Sequence, residues 1–127
     1  MCIRDRVGSR ITLPGHDVDN RGIGLAQGKV LVVYAGACTS CSLNAVDPTV
    51  LPFKAFDQIV LVFSATPQEV PKALRSVNDK LRLIADPHLD LTTSLNALWV
   101  GRWYEYIDGT LMRMQRSADE KYIGRAS

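Results

Sequence analysis

The chain has 127 residues and a formal net charge of +2, from 15 Lys and Arg against 13 Asp and Glu. That length fits one domain, and a charge this close to balance, scattered over separate segments, makes no electrostatic case for a nucleic-acid or anionic-membrane partner. Hydrophobic residues make up 46% and charged residues 22%, enough for a core that needs no disulfide support, and no apolar run is long enough to span a bilayer.

In chain order, Met1-Cys2-Ile3-Arg4-Asp5-Arg6 shows no period and is similar to translated sequencing-adapter sequence. Residues 1–6 are therefore expected to be a non-native leader, and residues 7–127 a single domain. A non-native start leaves room for a lost native leader or anchor, so the bacterial cytoplasm and the cell envelope both stay open. Residues 7–28 read as an irregular lead-in, with a short strand from Arg10 to Leu13 before the breakers Pro14-Gly15 and Asn20-Arg21-Gly22.

Lys29 to Tyr34 is a β-branched and aliphatic run suited to a strand covered on both faces. Ala35-Gly36-Ala37 reads as a turn. Thr39 to Phe56 has Leu43, Val46, Val50 and Phe53 at helical spacing, kinked or split by Pro48 and Pro52. Gln58 to Ser64 is a second buried strand. Thr66-Pro67-Gln68-Glu69 has the form of a capping box opening a helix to about Asn78. A third strand is expected from Leu81 to Ala85 and a short helix from Asp90 to Leu98. Trp103 to Ile107 and Leu111 to Gln115 flank Asp108-Gly109, a strong hairpin signal. Ala118 to Ile123 reads as the stub of a last helix, cut short at the C-terminus. The order predicts an α/β fold: parallel pairing where strands and helices alternate, and an antiparallel edge from the hairpin.

Of the three cysteines, Cys38 and Cys41 stand in Cys-x-x-Cys spacing, just where the first buried strand hands over to a helix. Open α/β sheets put their sites at the carboxyl ends of strands. Free N–H groups at a helix start favour a thiolate and can lower a cysteine pKa from ~8.5 into the range ~3.5–7.5. One thiolate attacks an external disulfide and the second resolves the mixed disulfide. Thr39 and Ser40 can bond the sulfurs through their hydroxyls or cap the helix. The alternatives are half of a zinc site, for which His16, His88 and Cys2 offer no paired spacing, and two inert buried thiols.

These residues resemble the thioredoxin-like superfamily on its redoxin side, the alkyl hydroperoxide reductase/thiol-specific antioxidant and thiol–disulfide oxidoreductase branches. The resemblance spans about Val7 to Gln115. It rests on Gly28-Lys29-Val30-Leu31-Val32-Val33-Tyr34, on Cys38-Thr39-Ser40-Cys41, on Arg102 through Asp108-Gly109, and on a lead-in similar to the redoxin N-terminal hairpin. It implies a three-layer α/β/α sandwich around a mixed sheet. Two departures stand out. Ala37 replaces the usual tryptophan, and no proline follows Pro87 to face the dithiol. The proline position falls near Arg102, where peroxiredoxins place an arginine that activates the peroxidatic thiolate. In that frame Cys41 matches the peroxidatic cysteine, Cys38 replaces a threonine, and Tyr34 stands where a proline is usual.

Three readings follow. The first is a thiol–disulfide oxidoreductase with Cys38 attacking and Cys41 resolving. The second is a peroxiredoxin-type peroxidase with Cys41 peroxidatic, Cys38 resolving and Arg102 assisting. The third is a metal-binding or scaffold module. The enzyme readings need no cofactor beyond the redox-active disulfide. They imply a disulfide-bearing protein or a hydroperoxide as substrate, and an upstream reductant. Arg102 is equally readable as a solvated edge charge. Trp99 and Trp103 are candidates to line a substrate groove but fit packing better. His88 reads as a loop residue. Asp47 and Asp57 are candidate proton acceptors for the resolving thiol.

Overall fold

A computed structural model of the chain describes residues 11–24, 28–36, 51–70, 72–97 and 101–115. Five strands form one mixed sheet: β1 (Lys29–Gly36), β2 (Gln58–Phe63), β3 (Leu81–Ala85), β4 (Trp103–Ile107) and β5 (Thr110–Met114), in the order β3-β2-β1-β4-β5. β1 pairs parallel with β2 and antiparallel with β4, so Val32 lies between Val60 and Tyr104. β2 pairs parallel with β3, and β4 pairs antiparallel with β5. The parallel pairs come from the alternating part of the chain, and of the two antiparallel pairs β4/β5 comes from the Asp108-Gly109 turn. Asp108 (φ 50°) and Gly109 (φ 88°) both take the left-handed backbone that a type I′ hairpin requires.

Side chains alternate between two cores because successive residues of a strand face opposite ways. On one face Leu31, Val33, Ile59, Leu61, Leu83 and Trp103 pack beneath Leu51, Phe56 and Val70. On the other, Val30, Val32, Val60, Val62, Tyr104 and Tyr106 pack against Leu91 and Leu95 of the helix α1 (Asp90–Ser94) and its end. Both faces of the sheet are covered, as strands without polar alternation demand.

The lead-in wraps the β3 edge. Ile11 and Leu13 pack on the α1 face and Val18 on the other. Residues 11–13 are irregular rather than a strand, and the regular contact nearby is the single bridge His16↔Gly22. The buried Asp17 accounts for this. Its Oδ1 accepts from Asp19 N and Arg21 N, and its Oδ2 accepts from Leu83 N, while Val18 N donates to Leu83 O at 2.9 Å. A side-chain carboxylate and one backbone group thus supply what a sixth strand would, and the edge is closed.

Three helix expectations are corrected, the simplest being α1, which ends at Ser94 rather than running to Leu98. Phe53–Ala55 is a single 3-10 turn behind Pro52, so no α-helix reaches Phe56; the expected helical residues 39–50 lie outside the described residues, as does the expected stub 118–123. After Thr66 the capping box forms, with Thr66 N and Oγ1 both donating to Glu69 Oε1 at 3.0 Å. It opens only a turn, followed by the 3-10 segment Lys72–Ser76. Pro71 explains this: it lacks the N–H that an α-helix begun at Pro67 needs, and its ring obstructs the carbonyl one turn back.

The two Thr66 bonds, backbone first and hydroxyl second, hold the Glu69 carboxyl below its ordinary pKa. The folded state therefore favours the carboxylate. The contribution is present above the unfolded-state value of ~4.3 and is lost as pH falls through the lower folded value. An NMR titration should place the Glu69 midpoint below that of an unfolded peptide, and Thr66→Val should move it upward. An unmoved midpoint in that variant would remove the hydroxyl as a cause.

Candidate functional site

The site is built on the carboxyl end of β1. Val30 to Val33 are completely buried and pin the strand at the centre of the sheet. Ala35 and Gly36, expected as a turn, still belong to β1. The pairing register with β2 slips between Tyr34 and Gly36, and Gly36 has φ 87°. This bulge re-aims the backbone as it leaves the sheet. Cys38, Thr39, Ser40 and Cys41 follow in the sequence and lie outside the described residues, as do Cys2, Asp47 and Trp99.

Arg102 and Tyr34 face each other across β1 and the start of β4. Tyr34 N donates to Arg102 O at 2.9 Å and Gly101 N to Tyr34 O at 2.7 Å. Arg102 is only 6% exposed, so it is not a solvated edge charge. Its Nε donates to Gln115 O and its Nη1 to Asn96 O, and its guanidinium carbon lies 5.4 Å from the Tyr104 ring centroid. A buried cation held by carbonyls and an aromatic face is a fixed positive charge, carried on a residue whose backbone pairs with the end of β1.

Tyr34 is half-buried, and its hydroxyl lies 2.9 Å from Ser64 Oγ, just past the end of β2. Ser64 Oγ lies 3.0 Å from Thr92 Oγ1 on α1, and Thr92 Oγ1 donates to Asp86 Oδ2 at 2.7 Å. Asp86 follows β3 and is buried. Its carboxylate also accepts from Leu91 N at 3.2 Å and Thr92 N at 2.6 Å. A cleft of about 410 Å³ opens beside Asp86, with Ile11, Thr12, Pro14, Ile84 and Asp90 among its lining residues. Four polar side chains thus join the carboxyl ends of three neighbouring strands. The sequence hid this set, because Tyr34, Ser64 and the Asp86/Thr92 pair are separated by 30 and then 22 to 28 positions. The one local signal was an Asp-Pro ending a strand before a threonine-bearing helix.

The remaining candidates fall elsewhere. Trp103 is 2% exposed and packs in the core with Leu31 and Val33. Asp57 accepts from Lys29 N at the amino end of β1. That is the end of β1 opposite Gly36, the last described residue before the dithiol segment. His88 is exposed in the turn after β3, and His16 is exposed in the lead-in. Among the described residues no three His, Cys, Asp or Glu side chains gather as a metal site.

No protein-family model and no curated protein matches the chain. Solved structures do. Reduced Prx3, a peroxiredoxin from Vibrio vulnificus, has a TM-score of 0.58 at 14% identity over 92% of this chain and 90% of that one. The same protein in complex with hydrogen peroxide has a TM-score of 0.59 at 14% identity, over 92% and 88%. The thioredoxin domain of a thiol–disulfide oxidoreductase from Bacteroides vulgatus has a TM-score of 0.58 at 16% identity, over 90% and 91%. With the mixed five-stranded sheet covered on both faces, these likenesses show that the chain has the thioredoxin-like α/β fold.

Proposed function

We propose that the chain is a thiol–disulfide oxidoreductase working through the Cys38/Cys41 couple. The observation that carries this is the position of the pair, directly after the bulged carboxyl end of the central strand. The thioredoxin-like fold and the likeness to an oxidoreductase domain support it. Cys38 thiolate attacks one sulfur of a substrate disulfide, and that S–S bond breaks to release a thiolate. Cys41 thiolate then attacks Cys38 Sγ and frees the second substrate sulfur. The substrate gains two electrons, the protein is left with a Cys38–Cys41 disulfide, and an upstream thiol reductant restores the dithiol. Thr39 and Ser40 supply hydroxyls beside the sulfurs. No other cofactor enters.

The burial of Arg102 favours a second reading. Cys41 attacks a hydroperoxide, its O–O bond breaks, and Cys41 becomes a sulfenic acid as water or an alcohol leaves. Cys38 then displaces water to form the same disulfide. Arg102 would hold the thiolate and polarise the peroxide.

One variant separates the readings. Cys38→Ser should lose insulin reduction, and retained reduction overturns the first reading. Under about one equivalent of hydrogen peroxide, mass spectrometry of Cys38→Ser should show Cys41 unoxidised. Rapid one-oxygen addition at Cys41 would put the peroxidase reading first. Stoichiometric metal in the reduced, purified protein would instead favour a metal-carrying module.

A further inference from the structure

Two arginines meet at the amino end of β3. Arg21 in the lead-in donates from Nη2 to Asp79 O, and Arg82, the second residue of β3, donates from Nη1 to the same oxygen, each at 2.5 Å. At most twice that distance, about 5 Å, therefore separates the two nitrogens, a range at which like charges repel. Arg82 is otherwise committed to carbonyls, through Nε to Gly22 O at 2.7 Å and through Nη1 also to Leu81 O at 3.1 Å. Both residues are half-buried, and among the described residues neither is ion-paired to a carboxylate. The acids nearby are Asp17, whose carboxylate accepts from three backbone N–H groups, and Asp79, which is exposed. Burial first, and the Arg21 charge second, lower the Arg82 pKa against the opposing pull of Asp17 and Asp79. Arg21 Nε, Arg21 Nη1 and Arg82 Nη2 keep no acceptor among the described residues.

We propose that Arg21 and Arg82 form a binding site for a dianionic phosphate group, free or at the end of a phosphomonoester. Two uncompensated guanidiniums match a group whose charge approaches about −2. Their planar N–H forks suit phosphate oxygens, which accept two parallel bonds from one guanidinium. A phosphate seated between them replaces a repulsion with two attractions. It also adds a charged tie to a joint already made by Asp17 and Val18 with Leu83, and so holds the lead-in on the β3 edge. The site lies at the amino ends of β2 and β3, where Gln58 Nε2 also donates to Gly22 O. Both strands run parallel to β1, so this is the end of the sheet opposite the one that Cys38 and Cys41 follow. The proposal is independent of the redox reading.

Arginines that merely cap carbonyls would bind nothing, and calorimetric titration tells the two apart. The full chain is titrated with inorganic phosphate and with glycerol 2-phosphate at about pH 8, where a phosphomonoester of second pKa ~6 is a dianion, at constant ionic strength in a phosphate-free buffer. One saturable site is expected. Binding of inorganic phosphate alone marks a site for the free ion, and binding of both marks a site for phosphomonoesters; either supports the proposal. Arg21→Gln and Arg82→Gln each keep an N–H donor for Asp79 O and lose the charge. Each should weaken binding by about tenfold or more, the loss of one charge-assisted contact. Acetate, a monoanion, should bind at least about tenfold more weakly than phosphate. Phosphate salts also stabilise folded chains without binding, by exclusion from the surface, and that effect neither saturates nor depends on these two residues. If Arg82→Gln fails to fold, the arginine Nε–Hε signals of the parent decide: phosphate should shift those of both Arg21 and Arg82. No saturable phosphate binding, undiminished binding in a folded variant, acetate as strong as phosphate, or unmoved Arg21 and Arg82 signals overturns the site.

Discussion

Arg102→Ala should destabilise the protein by roughly 3 kcal/mol, the range for stripping a buried cation from its partners. The guanidinium holds two separate pieces of chain. Nη1 binds Asn96 O beyond α1, and Nε binds Gln115 O after β5. It also stacks on Tyr104 and touches Met114 Sδ at 3.9 Å. Removing it leaves both carbonyls short of a donor and opens space against the Tyr104 ring. Arg102→Lys should recover less than half of the loss, because an ammonium cannot serve two carbonyls in a forked geometry. Urea unfolding measures this as a fall in midpoint at constant slope. A change below about 0.5 kcal/mol would show the contacts to be dispensable. The same variant informs the chemistry. In the oxidoreductase reading, alkylation of Cys38 near neutral pH should proceed at the parental rate in folded Arg102→Ala. A large fall in Cys41 reactivity is what the peroxidase reading requires.

Gly28→Ala should cost roughly 2–4 kcal/mol, although it adds one methyl at a partly exposed position. Gly28 has φ 79°, a left-handed backbone that costs an L-residue ~1–2 kcal/mol. An added Cβ would also lie 2.2 Å from Asp57 Oδ2. That oxygen accepts from Lys29 N, so moving it breaks the bond that starts β1 beside β2. The Gly28 amide itself donates to Asp108 Oδ1 at 2.9 Å, and Asp108 N returns a bond to Gly28 O. One residue therefore joins the amino end of the central strand, the start of β2 and the hairpin turn. A double-mutant cycle with Asp57→Ala checks the cause. The two losses should be less than additive by more than 0.5 kcal/mol, about the limit for independent sites. Strict additivity would mean that the methyl does not meet the carboxylate.

The strands were legible because each is a short apolar run with a reason to be buried on both faces. Leu81–Ala85 and Trp103–Ile107 coincide with their sequence reading, and Gln58–Phe63 differs by one residue. The 3.6-residue signals misled. At Thr66 the capping chemistry was correctly read, but Pro71 decided how far the helix could run. At Phe53 the reading allowed for a kink or split at Pro52, and the chain after Pro52 keeps only a 3-10 turn. Arg102 illustrates the harder limit. Its type and place were noticed, yet whether it meets solvent or two carbonyls depends on Asn96 and Gln115, which no local pattern links to it. Asp17 was missed altogether. One of two acids in a Gly- and Asp-bearing loop reads as turn chemistry, and its bond to Leu83 N spans 66 residues.

The placement of β1 has a consequence for how the reactive segment comes into being. β4 and β5 meet through a two-residue turn and can pair early at little entropic cost. β1 has no such neighbour. Val32 must find Val60 on one side and Tyr104 on the other, the latter near the far end of the described chain. Its lodging between them closes the longest loops in the sheet and belongs to the late part of assembly. The segment carrying Cys38 and Cys41 grows out of this last-seated strand. In the proposed redox reading, the pair that follows this strand in sequence therefore waits on the closure of the whole sheet.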